Sequence, residues 1–303
     1  MAYKERCESV ELIILRLLSQ RMTLEDKYKQ SYHNLEKGYE GEVAFDLLTE
    51  KLSCRSFILN DLLLETSGAK FQIDSLIVTQ EPIYLFEVKN YEGDYYYESG
   101  RFYTISKKEI TNPLLQIERS ESLLRQLLQN LGYRIPIKAY VVFINPEFYL
   151  YQAPLNKPII YPNQLSQFMR KLNNHPSTLK DHHKRLADQL VSMHQIEINK
   201  DKIPAYDLNS IQKGINCCSC HSFSVTVSGR KLVCDVCGYT EDLDNSIMRG
   251  VNEFCLLFPN EQITTNVIHD WFQVLDSKKT FRRVLKKNCD VLGKKEFNFI
   301  KCD

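Results

Sequence analysis

The chain has 303 residues, 43% of them apolar and 25% charged, with a net charge of +1. This is the composition of a globular protein with room for about two domains, and it excludes global disorder, a collagen-like repeat and a low-complexity tract. The charge is uneven: residues 38–131 hold nine basic and fifteen acidic residues, whereas residues 278–303 hold nine basic and three acidic. An acidic body therefore carries a basic tail, suited either to nucleic-acid contact or to a plain solvated helix face.

No apolar run approaches the ~18 residues that span a bilayer. The nearest, residues 10–18, carries Glu11 and Arg16 and lacks a small-residue cleavage site. The expectation is a cytoplasmic protein with no membrane segment or signal peptide. In chain order, residues 4–36 read as helix, with Val10, Ile13, Ile14, Leu17, Leu18 and Met22 at helical spacing. Gly38 and Gly41 break that pattern, and a second helix is expected over 41–51.

A strand-rich stretch follows: 57–64 with an interruption at Asn60-Asp61, then 71–78 and 83–88 joined by the short turn 79–82. Further strand is expected within the aromatic run 91–103. Its Asn90, Tyr91 and Tyr95-Tyr96-Tyr97 read foremost as core and edge-strand packing, with base stacking as the other reading. Asn112-Pro113 marks a helix start and Gly132 its stop. Residues 137–144 form a buried strand, 159–160 a short one, and 162–172 a closing helix. The division by composition is a helical segment at 1–37, an α/β domain at 38–172, a helical connector at 173–212, a cysteine module at 213–240 and a basic helical unit at 241–303.

The chemistry centres on Asp74 and the triplet Glu87-Val88-Lys89. Glu87 and Lys89 share one face of their strand. If 79–82 is the turn, Val78 pairs with Ile83, and the same register sets Asp74 opposite Glu87. Opposed Cβ atoms lie about 4.5–5.5 Å apart. Two carboxylates so close repel, and Lys89 supplies only one compensating charge. A divalent cation with a taste for hard oxygen ligands, Mg²⁺ or Mn²⁺, would supply the rest. The other reading makes Asp74 and Glu87 solvent-facing strand residues paired with Lys89.

Four elements in this order, Gly38-Tyr39-Glu40-Gly41-Glu42, Gln72-Ile73-Asp74, Phe86-Glu87-Val88-Lys89-Asn90 and Asn112-Pro113-Leu114-Leu115-Gln116, resemble the PD-(D/E)XK nuclease superfamily. The pattern is closest to its nuclease-related, or NERD, branch. The resemblance covers about residues 38–172. It departs from the pattern in having Ile73, not proline, before Asp74.

The resemblance implies an α/β, restriction-endonuclease-like fold with a mixed-sheet core flanked by helices. It also implies metal-dependent hydrolysis of phosphodiester bonds. In that scheme Asp74 and Glu87 hold the metal with the Val88 carbonyl, and Lys89 orients or helps deprotonate the attacking water. Glu42 completes the metal site directly or through water, and Gln116 orients Lys89 or the substrate. Read from the residues alone, Glu42 is as well an exposed helix residue and Gln116 a plain first-turn residue.

Cys217-x₂-Cys220 and Cys234-x₂-Cys237, thirteen residues apart, have the spacing of a tetrahedral Zn²⁺ site on a ribbon hairpin. Strands are expected at 223–227 and 231–233 with Ser228-Gly229 as the turn. Gly238 follows the second pair, and His221 takes the corresponding place after the first. Cys218 could stand in for Cys217, and His221 is a further alternative ligand. A redox dithiol or a reduced, empty site is the other reading.

Beyond the ribbon, helices are expected from Thr264-Thr265 and from Asp276-Ser277, then a strand over 296–301. The second helix would present Lys278, Lys279, Arg282, Arg283, Lys286 and Lys287 outward, in a helix-turn-helix or winged-helix-like unit that grips phosphates. The expected function is a Mg²⁺- or Mn²⁺-dependent nuclease with structural Zn²⁺ and nucleic acid, DNA favoured, as partner. The alternative is an inactive nucleic-acid-binding accessory protein. Oligomerisation is possible but nothing in the sequence indicates it.

Overall fold

The computed structural model describes residues 1–174, 176–291 and 296–298. Internal packing divides the chain into two units, Met1–Ser9 with His33–Ile198 and Val10–Tyr32 with Asn199–Asp303. Among the described residues no helix is long and apolar enough to cross a membrane.

The N-terminal region differs from the sequence expectation. Residues 4–9 are not helical. Helix α1 (Val10–Arg21) ends before Leu24, which is buried with Ile14 and Leu18. Helix α2 (Asp26–Thr49) then runs without a break through both glycines. Gly41 is buried because α2 lies against the end of a strand: a Cβ there would stand 2.5 Å from Asn90 Cβ. Gly41 serves close approach, not termination.

The first unit continues with β1 (Phe57–Thr66), β2 (Ala69–Val78), β3 (Ile83–Lys89), β4 (Gly93–Glu98), β5 (Arg101–Thr104), β6 (Glu109–Ile110) and α3 (Pro113–Asn130). Then follow β7 (Ile137–Phe143), β8 (Phe148–Tyr151), β9 (Ile159–Ile160), α4 (Leu165–Asn173) and α5 (Asp181–Ser192). The main sheet has the order β1-β2-β3-β7-β9. Its first three strands are antiparallel, and β7 and β9 join in parallel.

Alternation along β3 feeds two cores. Ile83 and Leu85 pack with Leu124 and Leu128 of α3 and with Leu186 and Leu190 of α5. Tyr84, Phe86 and Val88 pack with Phe45 of α2 and with Leu165 and Met169 of α4. α5 lies within the stretch that reads as a connector in the sequence, and its apolar face belongs to this core. A second sheet, β6-β5-β4-β8, carries the tyrosine run. Tyr91, Tyr95 and Tyr97 pack against the first core, while Tyr96 stacks on Tyr103 at 5.1 Å. β8 has no counterpart in the sequence reading.

Asn112 caps α3 by accepting from the Leu114 N–H, with Pro113 at the first helical position, and Gly132 follows at φ +84°. Both ends of this helix agree with the sequence.

The second unit contains α1 and a three-stranded hairpin sheet, β10 (Val225–Ser228), β11 (Lys231–Cys234) and β12 (Thr240–Asp242). It continues with α6 (Leu243–Leu257), β13 (Ile263–Thr264), α7 (Thr265–Phe272), α8 (Lys278–Asn288), β14 (Asp290–Val291) and β15 (Glu296–Asn298). The expected strand at 296–301 is thus described to Asn298, and its remainder lies outside the described residues. One core joins Ile14 and Leu18 of α1 to Val251, Phe254, Trp271, Phe281 and Leu285. Arg21 is buried there. It donates to Glu253 Oε2 (2.6 Å) and to the Gln212 and Gly214 carbonyls, with its guanidinium 4.3 Å from the Trp271 ring centroid.

The two α2 glycines should respond oppositely to alanine. Gly41→Ala forces a Cβ into Asn90 and should cost about 1–3 kcal/mol. Gly38→Ala meets open space and should gain roughly 0.5–1 kcal/mol of helix propensity. Urea denaturation of both variants checks the pair; equal effects would remove the close-approach role of Gly41.

Candidate active site and cysteine cluster

The β2–β3 register runs from Val78↔Ile83 to Ser75↔Phe86, as the turn at 79–82 requires. One step further, Asp74 comes level with Glu87. There the ladder is replaced by a side chain: the Val88 N–H donates to Asp74 Oδ2 at 2.7 Å. Lys89 Nζ donates to Glu87 Oε1 at 2.7 Å. Asp74 is 7% exposed and Glu87 8%, so the solvent-facing reading of this pair is wrong. The hairpin edge is buried between two helical layers.

Asp74 also marks the point where β1 and β2 turn over. Opposite it, Asp61 has φ +53° inside an otherwise continuous strand. On one side of this point Leu59, Leu76 and Val78 feed the α3 core; on the other Leu62, Leu64, Phe71 and Ile73 do. The inward-facing parity changes within both strands. The interruption legible at Asn60-Asp61 is therefore a left-handed residue in the strand, not the end of the strand.

Burial, and then repulsion from Glu87 and Glu42, pushes the Asp74 carboxyl well above the usual range, against Lys89 and the Val88 N–H. Burial likewise raises Glu42 to about 7, against the pull of Arg6 and Lys89. Burial opposes the charge on Lys89, but Glu87 and Asp74 outweigh it and raise its pKa.

Glu42 stands on α2, where Phe45 packs on Phe86 with ring centroids 5.0 Å apart. Its side chain is 21% exposed and accepts from Arg6 Nη1 at 2.5 Å. Gln116, in the first turn of α3, has a buried Oε1 without a hydrogen-bond partner among the described residues. Asn90 and Asn145 brace the end of β3: Asn90 donates to the Lys37 carbonyl (2.7 Å) and accepts from Asn145 (3.2 Å).

These residues fit a hard divalent cation by donor chemistry. A buried Asp74 repelled by both Glu87 and Glu42, the main-chain carbonyl of Val88 and the orphaned buried amide oxygen of Gln116 are groups that such an ion satisfies. The three carboxylates do not, however, converge on one point: the four cysteines alone, among the described residues, bring their ligand atoms within 4.8 Å of one another. Arg6 holds Glu42 and Lys89 holds Glu87.

Sequence reasoning missed Arg6 and Asp46. Asp46 lies one helical turn beyond Glu42 on the same face, a visible signal. Arg6 had none, being distant in sequence and placed by pattern on a helix.

Cys217, Cys220, Cys234 and Cys237 form a group able to hold a metal ion, with Sγ–Sγ distances of 3.6 Å (217–237) and 3.5 Å (220–234). A tetrahedral ion with bonds of about 2.3 Å needs roughly 3.7 Å between sulfurs. Both turns are built alike. His221 (φ +59°) and Gly238 (φ +72°) follow the two CxxC pairs in the left-handed region, and their N–H groups donate to the Cys217 and Cys234 carbonyls. His221 thus supplies a turn, and Cys218 is exposed outside the group. The Cys237 N–H, with that of Val236 and against burial, draws the Cys234 thiol down to about 7.

On α8, Phe281, Val284 and Leu285 are buried while Lys278, Lys279, Arg282, Arg283, Lys286 and Lys287 are exposed. Arg283 is bidentate to Asp244 at the start of α6, and Lys278 donates to Asn266.

Residues 37–144 match the family model of the nuclease-related domain, NERD. This part of the chain is similar to a nuclease-related domain, and its mixed sheet between helical layers agrees with a nuclease-like core. The match contains Glu42, Asp74, Glu87, Lys89 and Gln116; Arg6, the cysteines and α8 lie outside it. No curated protein and no solved structure matches the chain.

The raised Glu42 value sets a pH dependence. Folded Glu42 titrates at about 7 against an ordinary 4.5, so the folded protein holds this proton more tightly than the unfolded chain. Its contribution to stability is complete below about pH 4.5 and is lost as pH rises through about 7. The buried Asp74 acts in the same direction. Melting temperature in magnesium-free buffer should fall across this window, and Glu42→Gln should flatten the fall; an unchanged slope in the variant would remove Glu42 as its source.

Proposed function

We propose that the protein is a divalent-metal-dependent nuclease that hydrolyses phosphodiester bonds of nucleic acid, with DNA the favoured substrate. The observation that carries this is the buried Asp74–Glu87 pair, joined to Lys89 on one hairpin inside a nuclease-related domain. Asp74, Glu87 and the Val88 carbonyl would hold Mg²⁺ or Mn²⁺, with Glu42 completing the site directly or through water. When bound, such an ion lowers the pKa of water and polarises a phosphoryl oxygen. Lys89, steered by Glu87, would orient the attacking water and offset charge developing on the phosphate. The orphaned Gln116 Oε1 would accept a hydrogen bond from Lys89 or from substrate-bound water.

In the second unit the four cysteines would hold Zn²⁺. Four protein ligands leave no open position, so this ion would be structural. The order α6-β13-α7-α8-β14-β15, with β13, β15 and β14 in one small sheet, supports a winged-helix-like reading. The exposed basic face of α8 would grip phosphates.

Cleavage of labelled single- and double-stranded DNA and RNA by the zinc-loaded protein tests the proposal. Cutting should require added Mg²⁺ or Mn²⁺ and should fall about 100-fold or more in Glu87→Gln and in Lys89→Ala. A Lys286→Ala, Lys287→Ala variant should bind DNA more weakly, with the salt slope reduced by about 1 per lysine. No cutting with any substrate, alongside salt-dependent DNA binding, would favour the inactive accessory protein instead.

The cysteine site has its own check. Elemental analysis should find one zinc per chain. Cys220→Ser or a strong zinc chelator should release it and lower the melting temperature, since metal binding and folding of such a site are coupled. A metal-free protein with an unchanged melting curve would make the four thiols a redox site.

A further inference from the structure

Residues Met1–Ser9 belong to the unit that carries the carboxylates. The segment lies along β1. The Tyr3 and Lys4 N–H groups donate to the Ile58 carbonyl, the Asn60 N–H donates to the Lys4 carbonyl, and Lys4 pairs in parallel with Leu59. Lys4 Nζ closes on the Asn60 and Asp61 carbonyls at 2.8 and 2.7 Å, where β1 turns over. This anchorage delivers Arg6, two residues on, into the interior, where its side chain is 3% exposed.

Arg6 makes four donor contacts. Nε and Nη2 take the two oxygens of Asp46 at 2.8 and 3.0 Å, Nη1 takes Glu42 Oε2 at 2.5 Å, and Nη2 also reaches the main-chain oxygen of Asp74 at 2.7 Å. One guanidinium thereby ties two carboxylates of α2 to the backbone of β2 at its site residue. Resting on the metal-site reading above, we propose that Arg6 is a positioning residue of that site: it fixes the Glu42 carboxylate relative to Asp74, and the N-terminal segment is a required part of the metal-binding unit.

The distribution of bonds decides between a strut and a plug. A plug would spend its donors on the metal-ligating oxygens. Three of the four Arg6 contacts go elsewhere, two to Asp46 and one to a main-chain oxygen. Only a planar fork can serve all of these at once. Lysine in its place would keep the charge and lose the geometry.

The test is Mn²⁺ binding, followed by calorimetry and by the Mn²⁺ spin-resonance signal, on full-length zinc-loaded protein. The variants are Arg6→Ala, Arg6→Lys and Asp46→Asn, with Glu87→Gln as the control that defines the site. The proposal expects Mn²⁺ affinity to drop about 10–100-fold in Arg6→Lys and in Asp46→Asn, each shown folded by its melting curve, as when other supporting partners of metal ligands are removed. Arg6→Ala should lose at least as much; should it fail to fold, the two milder variants carry the result.

Affinity equal to wild type in folded Arg6→Lys and Asp46→Asn would overturn the proposal while leaving the metal site standing. Tighter Mn²⁺ binding in Arg6→Ala would overturn it too and make Arg6 a competitor of the ion. A wild-type protein that binds no Mn²⁺ in a Glu87-dependent way would instead bring down the metal-site reading, and this proposal with it.

Discussion

Two carboxylates buried level with one another, at the end of a hairpin inside an otherwise apolar sandwich, are the constraint around which the first unit is arranged. Asp74 and Glu87 repel, and burial makes the repulsion strong. Leaving buried charges unpaired costs several kcal/mol apiece. The fold meets that demand locally and from a distance. The ladder gives up a regular bond so that the Val88 N–H can serve Asp74. Lys89, two residues along the same strand, serves Glu87. The strand pair turns over at Asp61 and Asp74, which lets a charged position lie between two apolar sets of opposite parity. Gly41 lets α2 lie against Asn90, and Glu42 on the same helix comes within electrostatic reach of Asp74.

This arrangement shows why a site can look electrostatically satisfied and still suit a cation. Arg6 and Lys89 each hold one carboxylate, but among the described residues the Asp74 carboxylate has a main-chain donor alone, and Gln116 contributes an acceptor with nothing to accept from. The surplus is of negative charge and lone pairs. Such surpluses at conformationally unusual points are characteristic of functional positions and not of general packing. The cysteine cluster is the opposite case. Its four sulfurs already stand at nearly the spacing that one tetrahedral ion imposes, and the two turns that carry them are copies of each other in backbone conformation.

Much of this was legible in the sequence because it is local. A four-residue turn fixes the register of a hairpin, so the levels of Asp74 and Glu87 followed from counting. Asn112-Pro113 and Gly132 bound α3 through capping chemistry that acts within a turn of helix. The paired CxxC motifs carry their own geometry. The failures are non-local. Gly38 and Gly41 read as breakers, but tertiary contact with Asn90 explains the second and the helix runs through both. The helix of α5 is expected as part of a connector, but its few apolar positions, Leu186, Ala187 and Leu190, do not reveal that it packs into the first core. β8 is four residues long. Arg6 reaches partners 36 and 40 positions away, and no periodicity reports such a contact.

The interleaving of the two units has a consequence for synthesis. The chain begins in the first unit, leaves it after Ser9 for α1, returns at His33, and comes back to the second only after Ile198. Chains fold as they emerge, N-terminal parts first. The first unit has all its pieces once residue 198 is out. α1 precedes by more than 200 residues the helices α6, α7 and α8 with which its Ile14 and Leu18 share a core. The second unit is thus completed only after the first, and a chain stopped after residue 198 would hold every piece of the first unit together with a helix that has no core to join.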